Sequence, residues 1–295
     1  MMPSPGAAQP PSRGKARRGR PPAPISPGTG PSHRAWLEPV RSELFTSGLT
    51  LDDLVDRSGY SKTRISELLR GNGYYPAWEL TFSVTRALGL PTPPLRRLWT
   101  AAAREAHKGP DWIRHCIEQV AHETEGPPLA YRAFCETLHQ PYLQYARAFL
   151  LTDPRARGVV AETFDILWLS WNEAAASPDI RRYAWRLLRS RVMLRAARHQ
   201  DGSPDLRAAV FSTDEAHAVQ DPGHFMALTE LIDLFEAITR LPDDQMDVAV
   251  LHYLCGFPDH QISHVLGLTP ALTRAVDHHA RATVETLLNA PNTQE

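Results

Sequence analysis

Three groups of side chains in this chain have the types and spacing to hold nucleic acid. The first is Ser61, Lys62, Thr63, Ser66, Glu67 and Arg70, which follow Gly59. Short hydroxyls and cations on the N-terminal half of a helix suit a major groove, where Lys or Arg reaches guanine and Ser or Thr reaches phosphate. The second is Arg181, Arg182, Arg186 and Arg189, continued by Arg191, Arg195 and Arg198, with Tyr183 and Trp185 among them. Guanidinium groups neutralise phosphate and aromatic faces stack on bases, the combination a melted strand requires. The same pattern equally describes a solvated arginine face over core aromatics. The third is Thr269, Ala271, Arg274 and His278, beyond Gly267, in which Arg274 is the one permanent cation.

Other chemistries find little support. His260 and His264 stand one helical turn apart with Cys255 nearby, and His115, Cys116 and His122 are scattered, but neither set converges on zinc spacing. Asp52-Asp53 and Asp243-Asp244 fall at helix starts, where carboxylates favour the helix dipole. Neither a phosphate-cradling glycine loop nor a nucleophile with its base is present. The expectation is therefore no enzyme, no metal and no cofactor.

The elements that must position these groups are helices. A helix-turn-helix needs a first helix, a glycine in the left-handed turn, and apolar residues locking the second helix across it. Residues 50–70 supply them. Thr50 and Asp53 have capping-box spacing, Leu54 and Val55 face inward, Gly59 turns, and Tyr60, Ile65 and Leu68 close the core. The template fits again with Ile262 and Ser263 inward, Gly267 at the turn, and Leu268, Thr273 and Val276 closing the core. Apolar residues recur at three and four throughout, without the alternating β-branched runs of sheets, so the fold class is all-α and multi-domain.

The 295 residues divide at shifts in composition and charge. Residues 1–34 are rich in Pro, Gly and Ser, carry six cations and no acid, and read as a disordered basic arm. Within it, Arg17-Arg18-Gly19-Arg20-Pro21 has the form of an AT-hook, although a generic polycation or an inert tail fits the composition as well. A helix-turn-helix domain over 35–108, a connector at 109–130, a helical domain over 131–199, an acidic linker at 200–223 and a second helix-turn-helix domain over 224–290 complete the division. Residues 200–295 hold four cations against fifteen acids, a poor non-specific phosphate binder. No apolar run is long enough for a membrane span, the N-terminus lacks signal-peptide order, and the three cysteines are odd in number and far apart. A cytoplasmic protein with reduced thiols is expected, nucleoid-associated when bound to DNA.

Two resemblances follow from these residues. GLTLDDLVDRSGYSKTRISELLRGNGYYPAWELTFSVTRALG resembles the phage-repressor-like family of helix-turn-helix domains, which implies a five-helix domain over about 36–108 that binds double-stranded DNA. Leu51 stands where that family usually has a glutamine on the DNA backbone. From about 131 to 290 the chain resembles an extracytoplasmic-function-type sigma factor. The region 2-like part reads YLQYARAFLLTDPRARGVVAETFDILW and DIRRYAWRLLRSRVMLRAARH, and the region 4-like part LPDDQMDVAVLHYLCGFPDHQISHVLGLTPALTRAVDHHAR. This resemblance implies core RNA polymerase as a partner, promoter DNA as the target, and an anti-sigma or other regulatory protein as a further partner. It also implies polymerase binding through Glu162, Thr163, Phe164 and Trp168.

The departures lie in the contact positions. Ala156-Arg157-Gly158 and Ala161 replace the acidic run and glutamine of the polymerase-binding helix, Ser190 and Leu194 replace the Asn and Asp of the melting helix, and Val276 replaces a basic residue of the region 4 recognition helix. The resulting expectation is a divergent sigma factor in which the N-terminal domain supplies much of the DNA address. The alternative is a repressor, activator or adaptor whose sigma-like half binds a protein and no longer initiates transcription.

Overall fold

The computed structural model describes residues 23–120, 126–206 and 222–289, with side chains described for all but 222–230. The proposed AT-hook lies outside these residues. Helices dominate, and among the described residues there is no strand beyond an isolated bridge between Arg198 and Pro204.

Six helices form the first body: α1 (Pro31–Ser47), α2 (Leu51–Ser58), α3 (Lys62–Arg70), α4 (Trp78–Ala87), α5 (Thr92–Glu105) and α6 (Pro110–Glu118). Their shared core is built on indoles. Trp36, Trp78 and Trp99 are fully buried, Trp78 and Trp99 lie 5.5 Å apart between ring centroids, and Trp112 stacks on Trp99 at 5.7 Å. Truncating such a ring to alanine removes about 3–5 kcal/mol. Tyr75 Oη donates to Trp99 O at 2.6 Å and Trp99 Nε1 to Pro76 O at 3.1 Å, whereas Trp36 Nε1 is buried without a hydrogen-bond partner.

Two boundaries differ from the sequence expectation. Residues 23–34 are packed, because Ile25 joins the core, Ser26 N donates to Arg70 O at 2.8 Å, and Pro31 opens α1 at a position where its missing N–H costs nothing. Residues 110–118, assigned to a connector, form α6, and Ile113, Cys116 and Val120 complete the same core.

The second body holds α7 (Leu129–Phe149), α8 (Asp153–Leu169), α9 (Trp171–Ala176), α10 (Ile180–Met193), α11 (Pro222–Thr239), α12 (Asp243–Ala249, continued as a π-helical turn to Leu254), α13 (Asp259–Leu266) and α14 (Pro270–Asn289). The parts at 131–199 and 224–290, expected as separate domains, share one core. Tyr142, Tyr145, Phe149 and Trp185 from the first part meet Val248, Leu251, Ile262 and Ala280 from the second. Leu206, in the expected linker, is buried with them. No helix among the described residues is long and apolar enough to cross a membrane.

Candidate nucleic-acid interface

The α2–α3 unit is assembled by local rules. Thr50 Oγ1 accepts from Asp53 N at 3.2 Å while Asp53 Oδ2 accepts from Thr50 N at 2.7 Å, closing a capping box; the Thr50 hydroxyl, donating to Asp53 Oδ2 at 2.6 Å, and then the Thr50 N–H hold the Asp53 carboxyl below its ordinary range. Gly59 takes φ +76° and its N–H closes on Val55 O at 2.9 Å. Leu54, Ile65, Leu68 and Leu69 are buried behind the turn. Ser61, Lys62, Thr63, Glu67 and Arg70 are left exposed and Ser66 half-buried. Lys62 Nζ reaches Asp52 Oδ1 at 2.8 Å, but both side chains are mostly exposed, so phosphate could replace the carboxylate at a cost of about 1 kcal/mol or less.

The sequence reading missed two members of this surface. Arg64 is exposed on the same side of α3, three residues before Glu67, and helical spacing alone would have placed it there. Tyr74, 95% exposed on the loop after Gly71, has no periodic signal because it lies outside any helix. With Tyr60, Glu67 and Glu79 they line a groove of about 440 Å³ along α3.

The second unit, α13–α14, repeats the geometry. Ile262, Ser263 and Thr273 are inside, and Ser263 Oγ donates to Thr273 Oγ1 at 2.9 Å. Gly267 turns at φ +65°. Thr269, Ala271, Arg274 and His278 are exposed, with Thr269 Oγ1 accepting from Leu272 N at 3.3 Å at the start of the helix. Cys255 is largely buried, which pushes its thiol up to about 12. Among the described residues no three His, Cys, Asp or Glu side chains gather as a metal ion would need. His122 lies outside the described residues.

On α10 the arrangement departs from a surface for a melted strand. Arg181 and Arg186 are exposed, and Tyr183 is half-buried, which raises its phenol. Trp185, only 4% exposed, packs edge-on against Tyr145 at 4.5 Å and donates Nε1 to Asp247 Oδ2 at 2.8 Å. Arg189 donates to Asp247 at 2.9 Å and to Asp243 at 3.0 Å, and Arg182 lies 3.7 Å from Asp244. The cause is α12, whose acids meet two of the arginines that were expected to meet phosphate. Sequence order conceals this, because Trp185 and Asp247 are 62 residues apart.

On α8 the four residues assigned to polymerase are all covered. Thr163 is inaccessible, its hydroxyl turned back to Val159 O at 2.8 Å. Phe164 stacks on Tyr142 at 5.7 Å, and Trp168 lies 5.6 Å from Tyr131. Glu162 is gripped by Arg191 and Arg195, each at 2.6 Å. The other side of α8 faces the first body. Arg97 of α5 donates to Asp165 through Nε at 3.0 Å and Nη2 at 2.6 Å, Arg191 Nη2 donates to Pro31 O at 2.9 Å, and Ile166 and Leu169 join the first body's core. Burial pushes the Asp165 carboxyl up, against the pull of Arg97.

No protein-family model matches this chain, and neither does any curated protein or solved structure.

Proposed function

We propose that this chain is a DNA-binding transcription regulator, a divergent sigma factor whose α2–α3 unit holds promoter DNA and whose second body engages core RNA polymerase. One observation carries the DNA reading. The α3 helix is fixed from behind by a capped helix, a left-handed glycine turn and a closed aliphatic core, and it presents Lys62, Thr63, Arg64 and Arg70 to solvent together. That is a rigid support under groups that suit base edges and phosphates. The sigma reading draws its support from the resemblance over 131–290 and from the second helix-turn-helix at α13–α14.

Two experiments test the proposal. In footprinting titrations on genomic fragments, Lys62→Ala with Arg70→Ala should weaken binding. Lys62 contributes about 1–3 kcal/mol if it reads a base edge, and weakens all sequences alike if it touches phosphate only. Unchanged binding removes α3 from the DNA-reading role. The polymerase half is tested by co-elution with purified core RNA polymerase and by run-off transcription from the footprinted fragments. Loss of both outcomes with DNA binding intact favours the second reading, a regulator or adaptor without initiation. The burial of Glu162, Thr163, Phe164 and Trp168 is the observation on that side.

A further inference from the structure

The second half of α8 is enclosed from two directions, and the two enclosures differ in kind. Thr163, Phe164, Leu167 and Trp168 point into the core of their own body. Glu162, Asp165, Ile166 and Leu169, spaced at i, i+3, i+4 and i+7, form one stripe, the pattern of a single helix face. Asp165, Ile166 and Leu169 of that stripe are covered by the first body, and Glu162 by Arg191 and Arg195 of α10 and the turn after it. The stripe combines two carboxylates with two aliphatic side chains. Across it run the forked Arg97–Asp165 pair, the Arg97 guanidinium over the Trp168 ring at 5.8 Å, and the Arg191 bond to Pro31 O.

This contact can part without tearing either body. The first body has its own indole core in Trp36, Trp78 and Trp99. Arg97 is still 53% exposed, so it returns to water with little loss when Asp165 leaves. Glu162 keeps Arg191 and Arg195, which belong to the second body. Ile166, Leu169 and, from α10, Leu187 give up apolar burial on the second body's side, and the Trp168 ring loses the Arg97 guanidinium. The contact mixes charge pairs with apolar burial, the composition of interfaces at which units of one chain move relative to each other.

We infer that the N-terminal helix-turn-helix body masks the Asp165, Ile166 and Leu169 face of α8 and must leave it before core RNA polymerase can engage that helix. The inference rests on the polymerase reading proposed above. The α3 face stays exposed in the closed arrangement, so promoter DNA is held while the polymerase surface is still covered. Polymerase then binds with an affinity reduced by the fraction of molecules that are open.

The test uses the full chain carrying Arg97→Glu, with Arg97→Ala as a milder second variant and Arg97→Glu/Asp165→Arg as the reversed pair. Hydrogen exchange of peptides covering 92–105 and 159–169 reads closure, and equilibrium binding to purified core polymerase reads access. Faster exchange in both peptides and about tenfold or tighter polymerase binding by Arg97→Glu, with exchange returned toward wild type by the reversed pair, is the expected result. Exchange unchanged in both single variants overturns the mask, because the contact does not open. Faster exchange with polymerase binding equal to wild type also overturns it while leaving the sigma reading standing. Faster exchange with no polymerase binding by any form overturns the mask and the sigma reading together.

Discussion

His33 and Asp247 are both titratable side chains placed in apolar surroundings, and their neighbours decide what burial costs. Asp247 is enclosed by Tyr145, Trp185 and Arg189, each donating to it, so its desolvation is offset by directed bonds. Burial still pushes its carboxyl up, and also works against the Arg189 charge, but Asp247 beside it holds that guanidinium above its ordinary value. His33 has no such company. It stacks on Trp36 at 4.9 Å, meets Tyr75 edge-on at 5.1 Å, and its Nε2 is buried without a partner. Burial lowers its pKa to about 4 from 6.5. A base whose folded pKa lies below its unfolded value favours folding while neutral. Its contribution is therefore complete above pH 6.5 and is lost as pH falls toward 4, at most about 3 kcal/mol by linkage. His33→Phe keeps the stacking and removes the titration. Urea unfolding of the two proteins between pH 7 and 4 should show the wild type losing that much more stability than the variant, and parallel curves would show that His33 titrates as it does in water.

At the scale of elements, the two left-handed glycine turns look alike in sequence and differ in what surrounds them. A Cβ on Gly59 would meet nothing within 4 Å, whereas one on Gly267 would sit 2.6 Å from Arg182 N on α10 and 2.8 Å from Oδ1 of Asp179, the residue that caps it. Gly59→Ala should cost about 1–2 kcal/mol from backbone strain alone. Gly267→Ala should cost more and also loosen α13 from α10, read as faster exchange at 180–193. Equal losses with no change in α10 would mean that the turn yields without disturbing its neighbour. The contrast marks what was legible. Thr50 with Asp53, Gly59 and Gly267 were readable because capping and left-handed turns are decided within a few residues. The exposed face of α3 follows from the same periodicity. Trp185 was ambiguous because aromatics at helical spacing serve a core or a stacking surface equally, and Asp247 decides between them from another part of the chain. The stripe on α8 was illegible for the same reason, since Arg97 and Asp165 are 68 residues apart and neither carries a local signal of the other. The packing of residues 23–34 was missed because low-complexity composition outweighed the single anchor Ile25.

Over the whole molecule, charge is arranged so that the acidic last third neutralises two of the arginines of α10, Arg182 and Arg189, inside the chain. Residues 131–199 carry eleven cations against six acids, and residues 200–295 four against fifteen. Their meeting point is α10 against α12, where Arg182 and Arg189 are engaged and Arg181 and Arg186 stay exposed. On the proposed DNA reading, phosphate contact in this arrangement would fall mainly to α3 and its loop. An α10 released from α12 would present four arginines, two of them newly freed. Each phosphate neutralised on duplex DNA steepens the dependence of log K on log salt by about 0.9. Asp247→Ala removes the acceptor shared by Tyr145, Trp185 and Arg189 and should cost about 3–5 kcal/mol of closure. If α10 holds nucleic acid once open, anisotropy titrations across a potassium chloride series should give Asp247→Ala a slope steeper than wild type by about 2. Adding Arg182→Ala and Arg189→Ala should restore the wild-type slope. Residues 1–22 are common to all three proteins, so their cations cancel in the comparison. A slope unchanged in Asp247→Ala, with circular dichroism showing a folded helical protein and exchange showing α10 open, would mean that these arginines serve the acids of α12 and not phosphate.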